Sequence, residues 1–155
     1  MGGLTVSGLY FEDFEPGRVF DHAWTRTVTE MDNVLFSSLT MNVQPLHLDA
    51  EFAKGTEFGR PIVNSLFTLG LMIGITVNDT TLGTTIANLG MEKTAFPAPV
   101  FAGDTIRVRT TVVSRRESRS RADAGIVVLR HEAFKQDSTL VATCERAALM
   151  RKTPA

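Results

Sequence analysis

The sequence predicts an α+β fold in one domain, an antiparallel sheet wrapped around a single long helix. Residues 62–77 are apolar nearly all round, and a helix without a polar face has to be buried. From residue 84 onward the texture turns to β, most clearly where Ile106, Val108, Thr110 and Val112 alternate with Arg107, Arg109 and Thr111. At 155 residues the chain can build one core without help from disulfides or metal. One long helix followed by consecutive strands is a layered α+β arrangement.

Taken in order, residues 1–9 read as a flexible arm and residues 10–152 as the folded domain. Tyr10 to Gly17 is an aromatic-anchored segment that ends in a Pro16-Gly17 turn. Val19 to Thr27 alternates as a strand does, with Phe20 and Trp24 among polar residues. Thr29 and Asp32 have the spacing of a capping box, and Met31, Val34, Leu35 and Leu39 recur at helical spacing. That helix breaks before Pro45, and Asp49 to Lys54 supplies a further turn or two. Ile62 to Val77 is the central helix, in which Gly70 and Gly74 let strands approach the axis. Strands follow at Thr84–Leu89, Glu92–Phe96, Thr105–Ser114, Ala124–Phe134 and Leu140–Arg151. Pro97 and Pro99 bend the chain before a Gly103-Asp104 turn, and Arg115 to Asp123 reads as a long charged hairpin connection.

A formal net charge of -1 offers no field to recruit nucleic acid or an acidic membrane. Cys144 has no second cysteine to pair with. His22, His47 and His131 lack zinc-ligand spacing, so no metal is expected. The apolar helix is shorter than the roughly 20 residues that span a bilayer. Without a basic and apolar leader, a cytoplasmic protein is expected. A sheet curled round one helix leaves an edge exposed, which predicts at least a homodimer.

The chemistry concentrates between residues 39 and 65. His47 follows two amide side chains, Asn42 and Gln44, in a polar loop, and Arg60-Pro-Ile-Val-Asn64-Ser65 opens the central helix. Imidazole is the side chain whose ordinary pKa suits proton transfer near neutral pH. Three blocks stand out: Leu39-Thr-Met-Asn42-Val-Gln44-Pro45-Leu-His47, then Phe58-Gly-Arg60-Pro61-Ile62-Val-Asn64-Ser65, then Phe96-Pro-Ala-Pro99-Val100-Phe-Ala-Gly103-Asp104. In order and spacing they resemble the MaoC-like dehydratases, the R-specific enoyl-CoA hydratases of the hot-dog fold. Gln44 to Asp49, Gly83 to Gly90 and Arg115 to Arg121 are similar to the subset that hydrates branched C5-dicarboxylic CoA esters such as mesaconyl-CoA.

The resemblance implies a hot-dog dimer with acyl-thioester sites at the subunit boundary. It implies no cofactor, since coenzyme A is part of the substrate. The family's catalytic Asp and His fall on Asn42 and His47, its Asn on Gln44, and its oxyanion His-Gly on Asn64-Ser65. With Asn at position 42, His47 can serve both half-reactions, taking a proton from water and then giving one to the α-carbon. Asn42 and Gln44 can aim the water, the backbone near Ser65 can hold the enolate oxygen, and Asn64 and Arg60 are candidate substrate contacts. A neutral Asn42 also suits a substrate that carries its own carboxylate, with Arg60 as its cation. Asp49 is a reserve acid, and His22 and His131 read as solvent-facing or structural. Arg115, Arg116, Arg119 and Arg121 are either CoA-phosphate contacts or a solvated hairpin. Two other readings stay open. A hot-dog thioesterase is disfavoured because residues 62–77 hold no Asp, Glu or His, and a non-catalytic acyl-CoA-binding subunit fits the missing Asp.

Overall fold

The computed structural model describes residues 8–154. After a 3-10 turn at Phe11–Asp13 come β1 (Val19–Asp21), β2 (Arg26–Thr27), α1 (Glu30–Leu39), α2 (Pro45–Leu48) and α3 (Ala50–Lys54). Then follow α4 (Ser65–Thr76), a π-helical turn (Val77–Thr81), β3 (Thr85–Ala95), β4 (Thr105–Glu117), β5 (Ala124–Phe134) and β6 (Leu140–Arg151). The sheet is antiparallel in the order β1-β4-β5-β6-β3, and β2 also pairs with β4. It curls over α4 in the hot-dog arrangement.

Two apolar clusters hold the layers together. Met72 and Ile75 of α4 pack on Ile106, Val108, Ala133, Ala142 and Cys144. Phe11 and Phe14, before β1, pack on Val112, Val127, Leu129, Ala148 and Met150. Burying such a side chain contributes about 1.5–3 kcal/mol, so these clusters carry the fold.

The structure departs from the sequence reading in several places, each for a local reason. The Thr29–Asp32 capping box forms as expected. The apolar stripe of α1, however, faces outward, with Met31 at 72% and Leu39 at 75% exposure, while Asn33 and Ser37 are buried. Periodicity identifies an amphipathic helix, but here the inward face is polar because it meets loop backbone. Nor is α4 covered on every side within one chain: Leu66 is 58% exposed, and open space surrounds Gly70 and Gly74 where a Cβ would sit. Those glycines therefore admit no strand.

The expected first strand is two short ones interrupted by buried His22, and Trp24 between them is exposed. Gly90 does not end a strand. β3 runs through it by register shifts against β6. β4 extends to Glu117, so Arg115 and Arg116 belong to the strand rather than to the connection. Of the arm, residues 1–7 lie outside the described residues, whereas Gly8 and Leu9 donate backbone hydrogen bonds to Leu82 and Thr80. Among the described residues no helix is long and apolar enough to cross a membrane.

Candidate active site

His47 sits on α2, a single helical turn started by Pro45, which tolerates a first-turn position because it has no N–H to satisfy there. Its Nδ1 lies 2.9 Å from the Ile62 carbonyl oxygen. A carbonyl only accepts, so in the neutral ring Nδ1 carries the hydrogen and Nε2 keeps its lone pair. The same carbonyl accepts from Asn33 Nδ2 at 3.0 Å, and that amide also donates to the His47 carbonyl at 2.9 Å. Asn33 Oδ1 in turn accepts the Asn64 N–H at 2.8 Å. One buried side chain thus ties α1 to the His47 turn and to the entrance of α4. Sequence reasoning missed Asn33. Its signal was a polar i, i+4 pair, Asn33 and Ser37, opposite the apolar stripe of α1.

His47 and Ser65 line one cleft of about 340 Å³, with Thr68 on its floor and Phe96 to Val100 as its far wall. That wall is fixed by the Val63 N–H donating to the Val100 carbonyl. The Gly103-Asp104 turn secures it further, with Gly103 at φ +99° and Asp104 accepting from Phe101 N–H and Gln136 Nε2. Ser65 is the first residue of α4. Asn64 caps this end by accepting the Leu66 N–H, and among the described residues the Ser65 N–H has no acceptor. Free first-turn N–H groups and the helix dipole favour negative charge at this point.

A second cavity of about 200 Å³ lies against the same imidazole and is lined by Glu30, Asn33 and Arg60. The Arg60 guanidinium stacks 4.0 Å over the Phe101 ring. The structure thus places His47, Ser65 and Arg60 around two adjoining cavities. The other candidates lie elsewhere. Asn64 is buried with its side chain spent on the helix cap and on Ser37. Asn42 Oδ1 accepts the Gln44 N–H, an Asx turn, and neither Asn42 nor Gln44 lines a cavity beside His47. Asp49 caps α3 through the Phe52 N–H.

The four arginines lie at the far end of the sheet. Arg115 pairs with Glu15 and the Glu12 carbonyl, Arg116 reaches the Glu117 carbonyl, Arg121 pairs with Asp123, and Arg119 is exposed. At ~3.3 Å per residue of strand they stand roughly 25–40 Å from the cleft of their own chain.

Residues 13–133 match the MaoC like domain family. The chain is 32% identical, over 96% of its length, to the mesaconyl-CoA hydratase of Cereibacter sphaeroides, of which it spans 43%. It superposes with TM-score 0.84 and 36% identity on a monoamine oxidase regulatory protein of Archaeoglobus fulgidus, covering 95% of this chain and 97% of that one. A Mycobacterium tuberculosis protein described as having a double hot-dog fold superposes with TM-score 0.83 at 27% identity, covering 96% of this chain and 46% of that one. The match spans both the His47 turn and the wall that closes the cleft, in the order the three sequence blocks have. On fold, motif order and extent of the match, the chain belongs to the MaoC-like domain family.

Proposed function

We propose that the chain acts as an enoyl-CoA hydratase/dehydratase, adding water to or removing it from an α,β-unsaturated acyl thioester. The observation that carries this reading is the pairing, in one mostly apolar cleft, of the His47 ring with the unengaged Ser65 N–H at the start of α4. In the hydration direction His47 Nε2 takes a proton from water as the hydroxide oxygen bonds to the β-carbon. The thioester oxygen gains the charge, and Ser65 N–H with the helix dipole stabilises it. The imidazolium then returns a proton to the α-carbon, so one water is consumed and the ring is restored.

We assign the acyl group to a branched C5-dicarboxylic acid such as mesaconic acid. The mesaconyl-CoA hydratase relative supports this, as does the amide at position 42. An Asp there could make the same turn bond to Gln44, so what Asn42 adds is a donor without a negative charge. Asn42 lines neither cavity beside His47, so its effect on a charged substrate is a long-range one: it leaves the loop before the His47 turn without a negative charge. Arg60, beside His47, supplies the positive charge. The active species is a homodimer with the cleft at its boundary. Supporting this are the edge of β3, unpaired among the described residues, and the outward apolar face of α1.

Turnover of mesaconyl-CoA, its uncharged methyl ester and crotonyl-CoA, in wild type and Asn42→Asp, tests the assignment. Wild type should prefer the charged substrate, and Asn42→Asp should weaken the preference. Preference for crotonyl-CoA, or indifference to position 42, would contradict it.

A further inference from the structure

A polar seam crosses the core between the two apolar clusters. The row Thr110–His131 lies between the row Val108–Ala133, which packs on α4, and the row Val112–Leu129, which packs on Phe11 and Phe14. Within it Arg146 Nε meets His131 Nε2 at 3.2 Å, and His131 Nδ1 meets Thr110 Oγ1 at 2.8 Å. Thr110 Oγ1 meets His22 Nε2 at 2.8 Å, and His22 Nδ1 reaches both Asp79 oxygens at 2.8 and 2.9 Å. His22, Thr110, His131 and Arg146 are all buried.

With both rings neutral, the chain of bonds has only one consistent direction. A guanidinium N–H can only donate, so His131 Nε2 must accept and its hydrogen sits on Nδ1. Nδ1–H donates to Thr110, whose own hydroxyl hydrogen is then free for His22 Nε2. That leaves the His22 hydrogen on Nδ1, aimed at a carboxylate that can only accept. Burial, with the Arg146 charge beside it, holds His131 down to about 3, which keeps the ring neutral as the order requires.

The seam ends on the helix that carries the cleft. Asp79 belongs to the π-helical turn that directly continues α4, and within it Thr80 Oγ1 donates back to the Thr76 carbonyl. A helix is stiff along its axis, so where Asp79 is held decides where Ser65, about 21 Å away at the other end, presents its N–H. The Arg146 end is not free of cost, because its Nη2 is buried without an acceptor among the described residues. We propose that Arg146, His131, Thr110, His22 and Asp79 form a one-way hydrogen-bonded strut that registers α4 on the sheet, acting as positioning residues for the Ser65 end of the cleft. The link to catalysis rests on the proposed hydratase function; the strut itself does not.

Two readouts separate them. Nitrogen-resolved NMR of the wild-type chain should find His131 and His22 each with hydrogen on Nδ1. A hydrogen on His131 Nε2, or averaging between tautomers, would overturn the strut whether or not the protein turns over any substrate. Thr110→Val removes the central link and Thr110→Ser preserves it. The Ser65 amide resonance should therefore move in Thr110→Val and stay in Thr110→Ser. With mesaconyl-CoA, kcat should fall roughly 10- to 100-fold in Thr110→Val, the scale set by about 1 Å of misplacement, with KM within about twofold and Thr110→Ser near wild type. A folded Thr110→Val with an unmoved Ser65 amide and wild-type kcat would refute the positioning role.

Discussion

Asn33→Ala removes the side chain that joins three segments around His47. The structure assigns it bonds to the His47 carbonyl at 2.9 Å, the Ile62 carbonyl at 3.0 Å and the Asn64 N–H at 2.8 Å, with the residue only 4% exposed. Each such bond is worth about 1 kcal/mol net, or about 1–3 kcal/mol where its loss leaves a buried partner unpaired. Ile62 O keeps its bond from His47, so two partners rather than three are orphaned. The expected loss is about 3–7 kcal/mol, a large part of the ~5–15 kcal/mol of a typical domain. Urea denaturation at neutral pH reads it. Asn33→Asp sharpens the test, because it keeps the shape while turning a donor into a carboxylate facing two carbonyl oxygens. Its folded-state pKa should rise above the unfolded value of about 3.9. Its deficit relative to wild type should therefore be small near that value and grow as pH rises. A loss below about 0.5 kcal/mol for Asn33→Ala, or an Asn33→Asp deficit that ignores pH, would refute this reasoning.

The burial that holds His131 down to about 3, against an ordinary 6.5, makes stability depend on acid. The unfolded chain takes up a proton that the folded one refuses. Stability is therefore complete above 6.5 and declines as pH falls toward 3, by up to about 1.4 kcal/mol per pH unit. Denaturation of wild type and His131→Gln between pH 4.5 and 6.5 should show the slope in the first and a flatter one in the second. The edge of β3, unpaired among the described residues, should make wild type a dimer in sedimentation, and Leu89→Lys on that edge should shift it toward monomer. A wild-type monomer with full activity would contradict the proposed assembly. Asn42→Ala should slow turnover less than His47→Ala, since Asn42 lines neither cavity beside the imidazole; equal losses would give it a direct part in the chemistry.

The layered fold was legible because its signals are local. All-round apolarity marked α4, strict alternation marked β4, and Thr29 with Asp32 marked the start of α1. What stayed hidden depended on residues distant in sequence. Nothing near Asn33 announces that its partners lie at positions 47, 62 and 64, so spacing marks α1 as a helix without saying which face turns inward. His22 and Asp79 are 57 positions apart and meet only because α4 ends where β1 turns. At the site, motif order was enough to single out His47 and Ser65, which the structure brings to one cleft. The amides split from them because helix caps and Asx turns use the same side chains that ligand contacts do: Asn64 caps α4 and Asn42 closes its own turn. Within the arginine run, Arg115 and Arg121 pair with Glu15 and Asp123, partners that spacing alone could not rank.

The account turns on His47 as the group that moves the proton in the cleft it shares with Ser65. The most direct test is the steady-state hydration rate of mesaconyl-CoA by the wild-type chain and by His47→Ala, with folding of both verified by circular dichroism. The account predicts measurable turnover in wild type and a fall of at least ~100-fold in the variant, the lower end for general acid–base catalysis. A folded His47→Ala variant that hydrates at a near-normal rate would contradict it.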